Sequence, residues 1–254
     1  MLKTKFNAFL VHFALSVTIV SFIISLIIYF WYPLEYLGLT RFKDIALLII
    51  SVDLVMGPVL TFVVFNPMKK SLRFDLAVIA ILQFSALGYG VYTLFEGHPV
   101  YITFNQDRFT LVQASDAKPE EAKYSEYNIS KLTSGKIAYA KMPDDKKEKE
   151  KLLFSVMEGA PDLDQRTDYY EPYEKHISSV LAKSLDPKLI FSEKNLLPES
   201  QSFLKKHGNN FEKFAFLPLS SSSKFAIIVL DAKSAQPIDT IDIDPWELAL
   251  KETE

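Results

Sequence analysis

Residues 51–70 read SVDLVMGPVLTFVVFNPMKK. The stretch is apolar enough for the interior of a bilayer, yet Asp53 lies inside it, Gly57-Pro58 follows one turn later, and Lys69-Lys70 end it. A carboxylate at the centre of a membrane helix costs at least ~2.5–3.5 kcal/mol on insertion scales, so it must face other protein rather than lipid. Working outward, residues 45–68 carry Asp53 as their single charged residue, while residues 6–34 and 76–95 carry no Lys, Arg, Asp or Glu. A hydrocarbon core of ~30 Å needs ~20 residues of helix, and all three windows are long enough. The expected fold is a membrane protein: a three-helix transmembrane bundle over residues 1–96, with spans at about 6–32, 45–67 and 76–95, then an α+β periplasmic domain over residues 97–254.

The first window follows Lys3 and Lys5, but it outruns the ~7–15 apolar residues of a secretory signal and ends in Tyr29-Phe30-Trp31-Tyr32-Pro33, an interfacial aromatic belt. It reads as an uncleaved anchor. Lys3, Lys5, Lys69, Lys70 and Arg73 fall on one side of the bundle, against Arg41 and Lys43 on the other. Positive residues favour the cytoplasm, which places the N-terminus inside and the C-terminal domain in the periplasm. Residues 1–95 hold 7 basic and 4 acidic residues, net +3; residues 96–254 hold 21 and 27, net −6. An acidic domain has no electrostatic footprint for nucleic acid. Without cysteine there is no disulfide and no thiol chemistry.

The short loop from Lys69 to Asp75 makes spans two and three an antiparallel hairpin. With the turn centred near residue 72, Thr61 is expected level with Gln83, and Asp53 with Gly90 to Tyr92. Aligning span one from the opposite end sets Asp53 near Ser25 and Thr61 near Ser16. Asp53, Gly57 and Thr61 recur at i, i+4, i+8 and share a face; Gln83, Ala86, Gly90 and Thr93 share another. Pro58 removes a backbone donor and is expected to kink span two and free the carbonyl of Leu54. The candidate polar positions are Asp53, Gly57, Pro58, Thr61, Gln83, Tyr89 and Gly90. Small residues let helices approach, and polar ones bond across them. They can glue the chain's own bundle or line a groove for a foreign transmembrane helix; the pattern leaves both open.

In the soluble part, runs on either side of Asn105-Gln106-Asp107 read as a hairpin and residues 136–142 as a strand. Helices are expected from Asp144 to Gly159, over residues 171–184, and from Leu197 to a stop at Gly208. Strands return at 211–219, 224–231 and 240–244. Residues 114–131 are polar and read as a mobile loop. Strands, helices and strands again indicate α+β organisation. None of His12, His98, His176 and His207 pairs at metal-ligand spacing, and His12 suits a hydrogen bond inside the bundle. Asp162/Asp164 and Asp242/Asp244 are carboxylate pairs with no surrounding constellation. No Gly-rich phosphate loop or nucleophile elbow is present. The reading assigns no catalytic residue, no cofactor and no metal.

The segment from Val52 to Val91 resembles the signature region of the type IV pilin accessory protein family. The resemblance is carried by Asp53, Gly57-Pro58, Leu60-Thr61, Phe65 and Pro67, by Lys69-Lys70 and Asp75-Leu76, and by Gln83, Ala86-Leu87 and Tyr89-Gly90. It continues in His98-Pro99-Val100, where His98 stands in place of the family's usual basic residue, in Asp107-Arg108-Phe109, and in Asp242-Ile-Asp244-Pro245-Trp246. It is specific across residues 45–112 and thin from 115 to 210. The resemblance implies an inner-membrane chaperone or assembly factor dedicated to a particular major type IV pilin, stabilising it before pilus assembly. Its partners would be the pilin's transmembrane helix and head domain and the lipid bilayer, with no nucleic acid. The alternatives are a membrane sensor with a ligand-binding periplasmic domain, which would lack a cytoplasmic output domain, and a membrane enzyme using Asp53 or Asp242/Asp244.

Overall fold

The computed structural model describes residues 2–192 and 196–251. Three helical spans are long and apolar enough to cross a membrane: Leu2–Trp31 (α1), Phe42–Val64, and Leu72–Gly97 (α4). The middle span is composite, with α2 (Phe42–Ile50), a π-helical turn over Ser51–Met56, and α3 (Gly57–Val64). Pro58 has no N–H to give to Leu54, and the chain opens into a wider turn just ahead of it, where Gly57 N–H bonds the carbonyl of Val52 five residues back. The irregularity ahead of Pro58 is one π-turn.

The chain forms two compact units, one of residues 1–32 and 41–97, the other of residues 33–40 and 98–254. Residues 33–40 connect α1 to α2 and were grouped by the sequence with the helices. They fold instead with the second unit: Tyr36 and Leu39 join a core cluster with Phe104, Phe109 and Leu217. Ser223 Oγ donates to the Leu39 carbonyl at 2.6 Å and Thr240 Oγ1 to the Glu35 carbonyl at 2.8 Å.

The second unit is built on a seven-stranded mixed sheet: β1 (Pro99–Asn105), β2 (Arg108–Gln113), β3 (Lys136–Ala140), β4 (Tyr170–Glu171), β5 (Phe214–Ser220), β6 (Phe225–Asp231) and β7 (Pro237–Ile241). Their order is β4-β3-β1-β2-β5-β6-β7, with β1/β3 and β2/β5 parallel and the other pairs antiparallel. The continuous apolar runs of β5 and β6 belong to strands covered on both faces. Alternate residues separate accordingly: Leu217, Ile228 and Leu230 join the cluster that holds Tyr36, whereas Phe216, Ile227 and Val229 pack with Ile190, Phe203 and Leu248. A third cluster, with Tyr101, Val112, Tyr127 and Leu152, covers the β1–β3 end. The helices are α5 (Lys146–Met157), α6 (Ile177–Leu181), α7 (Pro187–Phe191), α8 (Pro198–His207) and α9 (Pro245–Lys251).

Three expectations change. Residues 114–131 are a packed connection with two 3₁₀ turns, Pro119–Glu121 and Ser125–Tyr127, because Ala114, Ala117 and Tyr127 are buried beneath it. Over 171–184 the helical spacing yields a 3₁₀ turn and the five residues of α6 rather than one long helix. The last strand ends at Ile241, and Asp242–Asp244 lie beyond it.

Candidate functional site: a polar-floored groove in the membrane unit

The middle span packs against both α1 and α4, which meet each other at the far end of the bundle, where the Trp31 and Phe95 rings lie 5.2 Å apart. Between α1 and α4 an open groove of about 610 Å³ runs along α1 from Thr4 to Val20, walled on the α4 side by Leu76, Ala80, Phe84 and Leu87. Its lining is apolar except at a few points, among them His12, Asp53, Thr61 and Gln83.

Those four polar residues meet in pairs. His12 Nδ1 and Thr61 Oγ1 are 2.6 Å apart, joining α1 to α3. Gln83 Nε2 on α4 lies 3.3 Å from the Asp53 carbonyl and 3.4 Å from Asp53 Oδ1, and donates toward both. Asp53 and Thr61 are 4% and 3% exposed, so neither meets lipid. The close approach of Gln83 depends on Gly57, where a Cβ would fall 1.9 Å from Gln83 Nε2. At Gly90 a Cβ would fall 2.5 Å from Ile49 Cγ1, so α4 and α2 touch there nearly backbone to side chain.

These pairings differ from the depth alignment expected from sequence. Asp53 meets Gln83 rather than Gly90 to Tyr92, and Gly90 meets Ile49. The cause lies in the turn. The chain leaves the helix at Phe65, whose ψ of 113° is extended, ahead of Asn66-Pro67, and re-enters it at Leu72. The turn therefore centres about one helical turn earlier in sequence than residue 72. Thr61 likewise meets His12 rather than Ser16, and the Ser25 hydroxyl bonds the Ser21 carbonyl of its own helix rather than reaching Asp53. Of the seven candidate positions, Asp53, Gly57, Pro58, Thr61 and Gly90 are buried and Gln83 is half-buried. Tyr89 is 70% exposed on the outer side of α4, and the structure does not bring it to the others. Thr93 Oγ1 donates back to the Tyr89 carbonyl of its own helix. His12, expected from the sequence to hydrogen-bond inside the bundle, does so with Thr61 and lines the groove; that Thr61 is its partner was not legible, because the two lie on different helices.

The soluble unit holds other polar clusters, and each has a structural task. Tyr101 donates to the Tyr127 carbonyl, Tyr127 to that of Glu171 at 2.9 Å, and Tyr173 to that of Ala235 at 2.8 Å; burial pushes all three phenols up from their usual range. Asp162 Oδ1 accepts from the Leu163 N–H at 2.7 Å, and burial raises the Asp164 carboxyl. Asp242 pairs with Lys224, and Asp244 Oδ1 caps α9 by accepting from the Trp246 N–H at 2.9 Å. The Arg108 guanidinium sits 5.1 Å above the Trp246 ring, so two motifs far apart in sequence meet in space. Among the described residues no group of three or more His, Cys, Asp or Glu could hold a metal ion.

The chain is 26% identical over 250 residues to the fimbrial assembly protein of serogroup I from Dichelobacter nodosus, covering 94% of this chain and 95% of that protein. The serogroup E1 protein of the same organism matches to the same extent. The protein of serogroups C1 and C2 is 33% identical over 113 residues, 44% of this chain and 86% of that protein. No family model and no solved structure matches.

Proposed function

This chain belongs to the fimbrial assembly protein family, and from that premise we propose that it is an inner-membrane accessory protein that stabilises a major type IV pilin before the pilus is assembled. The observation that carries the reading is the groove. A bundle that only had to hold itself together would close α1 onto α4. Here they meet at Trp31 and Phe95 but are separated along residues 4–20 of α1 by an apolar, polar-floored channel in the membrane unit. A pilin awaiting assembly presents one hydrophobic helix and a soluble head. The groove suits the helix, and the mixed-sheet unit offers a separate surface for the head. Two modest contacts on one molecule reinforce each other through effective concentration.

In this reading the N-terminus is cytoplasmic and the sheet unit periplasmic, following the five-to-two excess of basic residues on the N-terminal side. No reaction and no cofactor is assigned to it. Deleting the gene should lower the level of pilin or the number of pili, and a photo-crosslinker on the groove wall should capture the pilin helix. Normal pilin and normal piliation after deletion would overturn the proposal.

A further inference from the structure

Within the groove, the two oxygens of Asp53 are not equivalent. Oδ1 faces Gln83 Nε2 at 3.4 Å, whereas Oδ2 is buried and has no hydrogen-bond partner among the described residues. His12 Nδ1 is engaged with Thr61, and among the described residues no Lys or Arg lines the groove. Lys5 of α1 donates to the Val63 carbonyl. The floor therefore carries a bare acceptor in apolar surroundings, and a bare buried acceptor costs free energy until a donor reaches it.

We infer that Asp53 Oδ2 receives a hydrogen-bond donor, an ammonium, amide or hydroxyl group, carried on the otherwise apolar face of the partner's transmembrane helix. This deepens the function proposed above and rests on it. The pairing sets register as well as affinity. An apolar helix can slide along an apolar wall, whereas a single donor at one depth stops it where the donor meets Asp53.

The test uses the full chain in its own membrane with the cognate pilin. Benzoylphenylalanine replaces Phe84, an exposed aromatic on the groove wall, and in a control replaces Val63, which is equally exposed but off the groove. The Phe84 probe should crosslink to the pilin helix and the Val63 probe should not. Asp53→Leu removes both carboxylate oxygens, so no side-chain atom at residue 53 can accept from the partner, while Gln83 keeps the residue 53 backbone carbonyl as an acceptor. At equal protein level it should lower the Phe84 crosslink about threefold to twentyfold, the range for losing one interhelical hydrogen bond. Should Asp53→Leu reduce the protein's own level, the reciprocal series decides. Each donor-bearing residue of the pilin helix is replaced by Leu in turn, and one replacement must reproduce the loss.

An unchanged crosslink in Asp53→Leu, with Ala80→Trp abolishing it by filling the groove, would overturn the donor and leave the docking helix in place. A reciprocal series in which no replacement lowers the crosslink would do the same. Capture of lipid alone, or no capture of pilin from Phe84 in the unsubstituted protein, would remove the docking helix and the donor together.

Discussion

Three glycines on the membrane helices form a graded experiment. At Gly88 a Cβ would meet nothing within 4 Å, at Gly57 it would fall 1.9 Å from Gln83 Nε2 and 2.5 Å from Gln83 Cδ, and at Gly90 2.5 Å from Ile49 Cγ1. Replacing a helical Gly by Ala is favourable by about 0.8–1 kcal/mol when space is free, so Gly88→Ala should be neutral or stabilising. At Gly57 the obstacle is the far end of a flexible side chain. Gln83 can swing away, but it then gives up both contacts with Asp53, at about 0.6 kcal/mol or more for each interhelical bond. Set against the propensity gain, the net cost is at least about 0.2–0.4 kcal/mol. At Gly90 the obstacle is the branched stem of Ile49, so the helices must separate, and overpacking of that kind costs about 1–3 kcal/mol.

The expected order of stability is therefore Gly88→Ala, then Gly57→Ala, then Gly90→Ala. It is read from the midpoint of unfolding of the purified protein in mixed micelles on titration with SDS. The mechanism has its own control. In a Gln83→Ala background the Gly57 penalty should vanish and the propensity gain emerge, while the Gly90 penalty should persist. Equal effects at all three sites, or a Gly57 penalty that survives Gln83→Ala, would refute the packing described for α3 and α4.

Other outcomes follow from the soluble unit. Tyr36→Ala should destabilise the sheet unit by about 3–5 kcal/mol, as for other large buried aromatics, although Tyr36 lies in what reads as an interhelical loop; Leu34→Ala, at a position 72% exposed, should stay within about 0.5 kcal/mol, and limited proteolysis compares the two. Burial tends to raise the Asp239 carboxyl, but Lys206 and His207, each 2.8 Å away, outweigh it and hold the group below its usual value. A depressed folded-state value contributes stability above the unfolded value near 4 that is lost as pH falls through the folded one. Asp239→Asn should therefore flatten the acid limb of a thermal-melting profile below about pH 4 and lower the midpoint at neutral pH. Gln106 turns β1 into β2 with a φ of 56°, a left-handed conformation; Gln106→Gly should leave the melting temperature unchanged or raise it, and Gln106→Val should lower it by more than about 1 kcal/mol equivalent.

By itself the sequence determined what depends on local pattern and on solvent. Uncharged windows of sufficient length become membrane spans whatever their partners, because unpaired backbone and charge are costly in hydrocarbon. The β1–β2 hairpin, the capped α5 and the Gly208 stop of α8 rest on contacts a few residues apart. So does the conclusion that Asp53, Gly57 and Thr61 share a face. The tertiary structure decided what depends on how elements meet. Pro58 opened a π-turn, and the helix broke at Phe65, ahead of Asn66-Pro67, so the facing positions moved by about one turn and brought Asp53 to Gln83. Tyr36 and Leu39 look like loop residues until the strands that cover them are assembled. The groove is a space between helices, and a helical repeat specifies which residues share a face but not how far the neighbouring helix stands from it.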